Sequence, residues 1–124
     1  MAGNVQARRK EVGALGEKLA ADFLKKRGYR IVERNFRCRQ GEIDIIARHG
    51  ECLVFVEVRT KASSGFGTPE ESVTARKRKK LAEVAETYIQ SHDSPSSWRI
   101  DVVAVELTPE GRLSRLDHIE NALG

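Results

Sequence analysis

Apolar positions along this chain switch between a helical period and a strand period several times, and the switches mark its elements. From Arg8 to Arg27, Val12, Leu15, Leu19, Phe23 and Leu24 recur at three- and four-residue steps and Gly28 supplies a stop, which predicts a helix packed on a sheet. Tyr29 to Arg37 is expected as a first strand, and Cys38-Arg39-Gln40-Gly41 turns the chain. Gly41 to Arg48 and Cys52 to Lys61 are rich in Val, Ile and Phe and flank His49-Gly50-Glu51, the pattern of a β-hairpin. Ala62 to Gly67 is small and glycine-bearing, as in a mobile loop. Thr68-Pro69-Glu70-Glu71 carries a helix-start signature, predicting a short turn before a main helix from about Ala75 to Gln90 with Leu81, Ala85, Tyr88 and Ile89 inward. After a polar loop from Ser91 to Ser97, Trp98 to Leu107 is apolar on both faces, as expected of a strand buried beside the hairpin. Pro109-Glu110-Gly111 then turns the chain into a last edge strand, Arg112 to Leu116. The order α-β-β-β-α-β-β predicts one α/β domain over residues 1–124, a mixed sheet flanked by helices.

The hairpin carries acids inside apolar strands, where a charge is costly. Side chains alternate between faces, so Cys52, Val54, Val56 and Val58 share one side, and Leu53, Phe55, Glu57, Arg59 and Lys61 the other. On the first arm Ile43, Ile45 and Ala47 are expected on one face, with Glu42, Asp44, Ile46 and Arg48 opposite. An even number of turn residues puts Asp44 and Glu57 on the same face, directly opposite or one diagonal step apart, where they repel unless a cation joins them. Two readings fit. One is a site for a hard divalent ion and a phosphate, with the fixed positive charge following on the same face. The other is an edge hairpin whose charges discourage aggregation, with Glu57 and Arg59 as a surface pair.

Charge narrows the class of partner. The net charge is only +4, but basic residues cluster at Arg8-Arg9-Lys10, at Lys25-Lys26-Arg27 and above all at Arg76-Lys77-Arg78-Lys79-Lys80. Such runs neutralise phosphates, and they also serve as solvated helix faces. Nowhere do about 18 apolar residues run consecutively, and the basic N-terminus has no apolar run before a cleavage site, so neither a membrane span nor secretion is expected. Cys38 and Cys52 match no zinc spacing and are expected as free thiols in a cytoplasmic protein. His49, His92 and His118 form no ligand spacing and are surface histidines by default. Asp101 interrupts the strand at Trp98 to Leu107, and is expected to be held by Arg99 or by backbone donors.

An Asp followed about a dozen residues later by Glu-x-Lys on the next strand resembles the metal-dependent nuclease motif of the restriction-endonuclease-like fold, PD-(D/E)xK. More narrowly, GEIDIIAR with LVFVEVRTK, Phe66-Gly67, RNFR at Arg34 to Arg37, WRIDVVAV at Trp98 to Val105 and the closing HIENAL resemble the YraN-like family of small uncharacterised proteins. The resemblance covers nearly the whole chain. It implies Asp44 and Glu57 as ligands of Mg²⁺ or Mn²⁺, with the Val58 carbonyl as a further ligand. It also implies a metal-bound water as nucleophile, and Arg59 or Lys61 offsetting developing charge. Glu17 matches a first-helix acid that reaches the metal in some such nucleases, although it lies off the apolar stripe, where exposure is the default.

The chain departs from the motif at Arg59, where lysine is usual. With a pKa near 13, roughly one arginine in a million is deprotonated at pH 7, so a lysine-specific role falls to Lys61 or Lys77. The function expected is a DNA endonuclease, for branched or repair-related substrates. Its rivals are a nucleic-acid-binding module of the same fold without catalysis, and a protein-interaction domain. A homodimer through an edge strand is compatible with the sequence.

Overall fold

A computed structural model describes residues 5–62, 67–92, 95 and 97–122, with side chains from residue 8 onward. The first helix, α1, spans Val5–Lys26. It ends because Gly28 adopts φ +87°, letting Gly28 N–H reach the Lys25 carbonyl and Tyr29 N–H the Leu24 carbonyl, both at 3.0 Å. Three strands follow without a helix between them: β1 Arg30–Cys38, β2 Gly41–His49 and β3 Cys52–Lys61. A short 3-10 helix at Pro69–Ser72 and helix α2, Ala75–Ser91, lead to β4, Ser97–Leu107, and β5, Leu113–Ile119. The element order is the one expected, with the last strand running three residues further than predicted, to Ile119. The loop anticipated at Ala62 to Gly67 falls mostly outside the described residues, as does part of the polar loop before β4.

The strands form one mixed sheet in the order β1-β2-β3-β4-β5. Of the described strands only β3 and β4 are parallel, a pairing that needs a long crossover, and α2 lies within it. Each face of the sheet is covered by one helix. Under α1, the side chains of Leu24, Ile45, Val54, Val56, Val103 and Val105 are buried together. Under α2, Phe55, Val84, Tyr88, Ile100 and Val102 form the second core. Phe55, Ile45, Val56 and Ile100 are at most 1% exposed, and each such side chain removed from water favours folding by about 1.5–3 kcal/mol before entropy is counted. No described helix is long and apolar enough to cross a membrane.

One face assignment differs from the sequence expectation. Ile45 and Ala47 pack under α1, but Ile43 packs under α2 together with Ile46. Simple alternation breaks at Asp44, opposite the point where Asn35 on β1 has φ +56°. Of the histidines, His49 and His92 are exposed as expected and His118 is not. His49 stacks on Tyr29 and His92 on Tyr88, and the His118 side chain is only 10% exposed.

Candidate metal centre

Two residues turn the hairpin, because His49 pairs with Cys52 and Gly50 opens the turn at φ +62°. The register then runs through Ile45 opposite Val56, so the next position places Asp44 across from Glu57. Regular pairing of β2 with β3 stops at Ile45, whereas β2 remains paired with β1 as far as Gly41. The sheet therefore forks here. Asp44 fills the gap: its Oδ2 accepts the Val58 backbone N–H at 2.8 Å, in place of a main-chain carbonyl. Within a strand a residue's N–H and C=O point the same way, so the Val58 carbonyl also faces the fork.

Electrostatics at the fork are unfavourable without a proton or a cation. Burial first, then the Glu57 charge, push the Asp44 carboxyl up to about 7, against the lowering effect of the Val58 N–H. Glu57 is 8% exposed. Its Oε2 lies 3.4 Å from an Arg59 guanidinium nitrogen and 4.0 Å from Lys77 Nζ. Arg59 is aimed by a second contact, Nε donating to Ser72 Oγ at 2.8 Å, and Ser72 in turn donates to the Pro69 carbonyl at 2.6 Å. The 3-10 helix that supplies Ser72 is capped by Thr68, whose N–H donates to Glu71 at 2.8 Å, and is tied to the sheet by Arg115 bonding Glu70 at 2.8 Å. Further along β3, Lys61 Nζ donates to the Gly67 carbonyl.

Helix α1 brings a third acid towards the fork. Gly16 lets the helix approach β3 closely, since a Cβ there would lie 1.9 Å from Thr60 Oγ1. Glu17 follows it directly, pairs with Arg34 at 3.4 Å, and has its carboxyl pushed upward by burial and by the charge of Asp44. It is thus half-buried beside the pair and not on an open helix face. All the donors here are hard oxygens, the kind that Mg²⁺ or Mn²⁺ accepts, and the raised Asp44 marks negative charge in want of a partner. The residues fit such an ion.

Of the basic run, Arg76, Lys77, Arg78, Lys79 and Lys80 are all exposed, and Lys77 on the first turn of α2 reaches back to Glu57. Thr74 caps this helix, accepting Lys77 N–H at 3.3 Å.

A second polar cluster gathers on Asp101, with Arg99 and a backbone donor as expected and His118 as a further partner. Asp101 is fully buried, and accepts from Arg99 Nε at 2.9 Å and from Asn121 N–H at 2.9 Å, with His118 Nε2 at 2.7 Å. Burial alone would raise its carboxyl, but these contacts outweigh it and hold Asp101 below the usual value. Among the described residues, Asp101, His118 and Glu120 are the acid and histidine group whose ligand atoms lie within 4.8 Å of one another. Arg99 occupies that cluster, bonding Glu120 at 3.3 Å and Tyr29 Oη at 2.7 Å, so its charge is already balanced by a guanidinium. Asp101 is the structural acid expected. The link to His118 was hidden because nothing in a lone histidine signals a partner on a neighbouring strand.

Fold and fork together define a small mixed α/β protein with paired carboxylates set where two central strands part. Residues 16–105 match the model of the uncharacterised protein family UPF0102, and this chain belongs to that family. A UPF0102 protein of Dehalococcoides mccartyi is 53% identical over 118 residues, covering 94% of this chain and 95% of the relative. One from Symbiobacterium thermophilum is 51% identical over 91% of this chain and 96% of the relative, and one from Caldanaerobacter subterraneus is 45% identical over 92% and 95%. The conspicuous motifs of the fork, Gly41 to Arg48 and Leu53 to Lys61, lie inside the matched region.

Proposed function

We propose that this protein is a metal-dependent phosphodiesterase acting on DNA, with Asp44 and Glu57 holding Mg²⁺ or Mn²⁺. The single observation that carries this reading is the Asp44–Glu57 pair at the fork, where burial and mutual charge push Asp44 up to about 7. Carboxylates kept this close in a folded core have a standing deficit that a divalent ion removes. When bound, such an ion supplies an activated water and charge neutralisation at phosphorus. The chain's own groups do the rest. The Val58 carbonyl adds an oxygen facing the fork. Glu17 contributes negative charge from α1. Arg59, oriented by Ser72, is placed to hold a phosphate oxygen and to offset charge that develops on it. Arg76, Lys77, Arg78, Lys79 and Lys80 bind neighbouring phosphates without reading base sequence.

A second reading rests on a different observation: Glu57 is already faced by Arg59 and Lys77, two cations that reduce its need for a metal. Under that reading the protein binds nucleic acid without cutting it. The two separate cleanly in one experiment. Purified wild type, Glu57→Gln and Arg59→Lys are incubated with plasmid, single-stranded and branched DNA, with Mn²⁺ or with a chelator. Chelator-sensitive cleavage lost in Glu57→Gln supports the enzyme. Retention of DNA with no product from any substrate, Arg59→Lys included, supports the binding module.

A further inference from the structure

Both helices run against the direction of β3, on opposite faces of the sheet. On one face Gly16 abuts Thr60 near the end of β3, while Tyr29, just past the helix, stacks on His49 and bonds Arg99, whose partner on β3 is Val54. On the other face Lys77 reaches Glu57, while Tyr88 lies edge-on to Phe55. Each helix therefore starts at the end of the sheet where β3 finishes. The turns of α1 before Gly16 carry on past that end, and at 1.5 Å per residue Arg8, Arg9 and Lys10 stand about 9–12 Å beyond Gly16 along the helix axis.

The fork thus has a basic run on either side, Arg8 to Lys10 from α1 and Arg76 to Lys80 from α2. All eight side chains are exposed, and among the described residues Lys77 is the one of them in an ion pair. Acids at this end are already engaged: Glu70 by Arg115, and Glu71 by the Thr68 cap. Glu11, which follows the α1 run, leaves it net positive. The third basic run differs in kind. Lys25 and Lys26 lie in the last turn of α1, where the macrodipole favours cations, so helix stability accounts for them. Arg76, Lys77 and Arg78 open α2, where the same dipole disfavours them and no acid stands in the first turn.

We propose that Arg8, Arg9 and Lys10 are a second phosphate-binding arm, so that a nucleic-acid duplex lies across the end of the sheet, over the fork, with α1 on one side and α2 on the other. Its two strands offer phosphates to both runs in one binding event, and contacts of this kind carry no base preference. The proposal rests on the nucleic-acid reading above and is independent of the metal.

The test is the salt dependence of binding to a short blunt DNA duplex, followed by fluorescence anisotropy on the full chain with a chelator present so that nothing is cut. Arg8→Gln with Arg9→Gln is expected to flatten the log-log salt slope by about 0.9 for each phosphate released, and this loss is expected to add to that of Lys79→Ala with Lys80→Ala. Lys25→Gln with Lys26→Gln removes the same charge from the other end of α1 and is expected to leave the slope unchanged. A slope that falls only with the α2 variant overturns the α1 arm and leaves the nucleic-acid reading standing. Equal flattening by the Lys25 and Lys26 variant overturns the arm as well, because net charge and not placement would then set binding. Retention of duplex by none of the proteins, wild type included, overturns both the arm and the nucleic-acid reading.

Discussion

Asp44 accepts the backbone N–H of Val58 at 2.8 Å while lying beside Glu57, so one carboxylate both mends the β2–β3 ladder and faces a like charge. These two duties pull its acidity in opposite directions. The hydrogen bond favours the ionised form, and burial with the Glu57 charge favours the protonated one and prevails, to give about 7.

This sets a pH dependence whose sign can be worked out. The unfolded aspartate titrates near 3.9, below its folded value of about 7, so the folded metal-free chain binds the extra proton between them. The contribution to stability is fully present below about 4 and is lost as pH rises through about 7. Urea midpoints of metal-free protein should therefore fall between pH 5 and pH 8, and Asp44→Asn should flatten that fall. A decline of the same size in both proteins would assign it to other groups. By carbon-detected NMR titration, Glu57→Gln should lower the Asp44 value without restoring the ordinary one, because burial is the larger cause.

Asp101 behaves in the opposite sense. Its carboxyl is held below the ordinary value by His118, Arg99 and the Asn121 N–H, so its contribution is present above about 3.9 and is lost as pH falls through the folded value. Asp101→Asn should cost about 3 kcal/mol in urea denaturation at pH 7, since it removes the charge of a fully buried acid that pairs with the half-buried Arg99 guanidinium. His118→Ala should cost less, about 1.5 kcal/mol, with Arg99 and Asn121 still holding the acid. A loss under 0.5 kcal/mol for Asp101→Asn, on the order of an ordinary surface change, would show the network to be dispensable.

Two glycines on α1 make a matched pair. Nothing lies within 4 Å of a Cβ built at Gly13, whereas one at Gly16 would meet Thr60 Oγ1 at 1.9 Å. Gly13→Ala should stabilise the chain by about 0.5–1 kcal/mol through helix propensity. Gly16→Ala should destabilise it by about 1–3 kcal/mol through overpacking, and Thr60→Ala should recover part of that loss. Thermal melts of the four proteins settle the order. Equal effects at residues 13 and 16 would mean that the helix does not sit this close to β3.

Salt dependence tests the basic run. Arg78, Lys79 and Lys80 are exposed on α2, whereas Lys77 on the same helix faces Glu57. Replacing Lys79 and Lys80 with Ala should flatten the log-log salt slope for duplex DNA by about 0.9 for each phosphate that is no longer neutralised. Lys77→Ala should additionally change metal affinity, by removing a cation from Glu57. An unchanged slope in the double variant would mean that these lysines merely solvate the helix.

Element order, the hairpin and the parity that sets Asp44 against Glu57 were legible in the sequence, because period-2 and period-3.6 patterns are local and strong. The face of Ile43 was not. Alternation assumes extended backbone throughout, and one left-handed residue on the neighbouring strand, Asn35, defeats it without leaving a mark in hydrophobicity. Glu17 gave only half its signal: its place off the apolar stripe suggested exposure, and the close approach permitted by Gly16 brought it to the fork. The Asp101 to His118 contact joins residues on different strands, a pairing that composition and spacing do not encode.

The irregularities of β1 have an effect beyond the site. As the outermost strand it presents a row of unbonded main-chain groups, which in a flat strand would serve as a template for a passing chain. Here a register shift between Ile31 and Glu33, the left-handed Asn35, and the charged side chains of Arg30, Glu33, Arg34 and Arg37 break that row at short intervals. The same bend that breaks the alternation of β2 also spoils β1 as a docking edge, so the molecule is guarded against edge-to-edge aggregation along this side of its sheet.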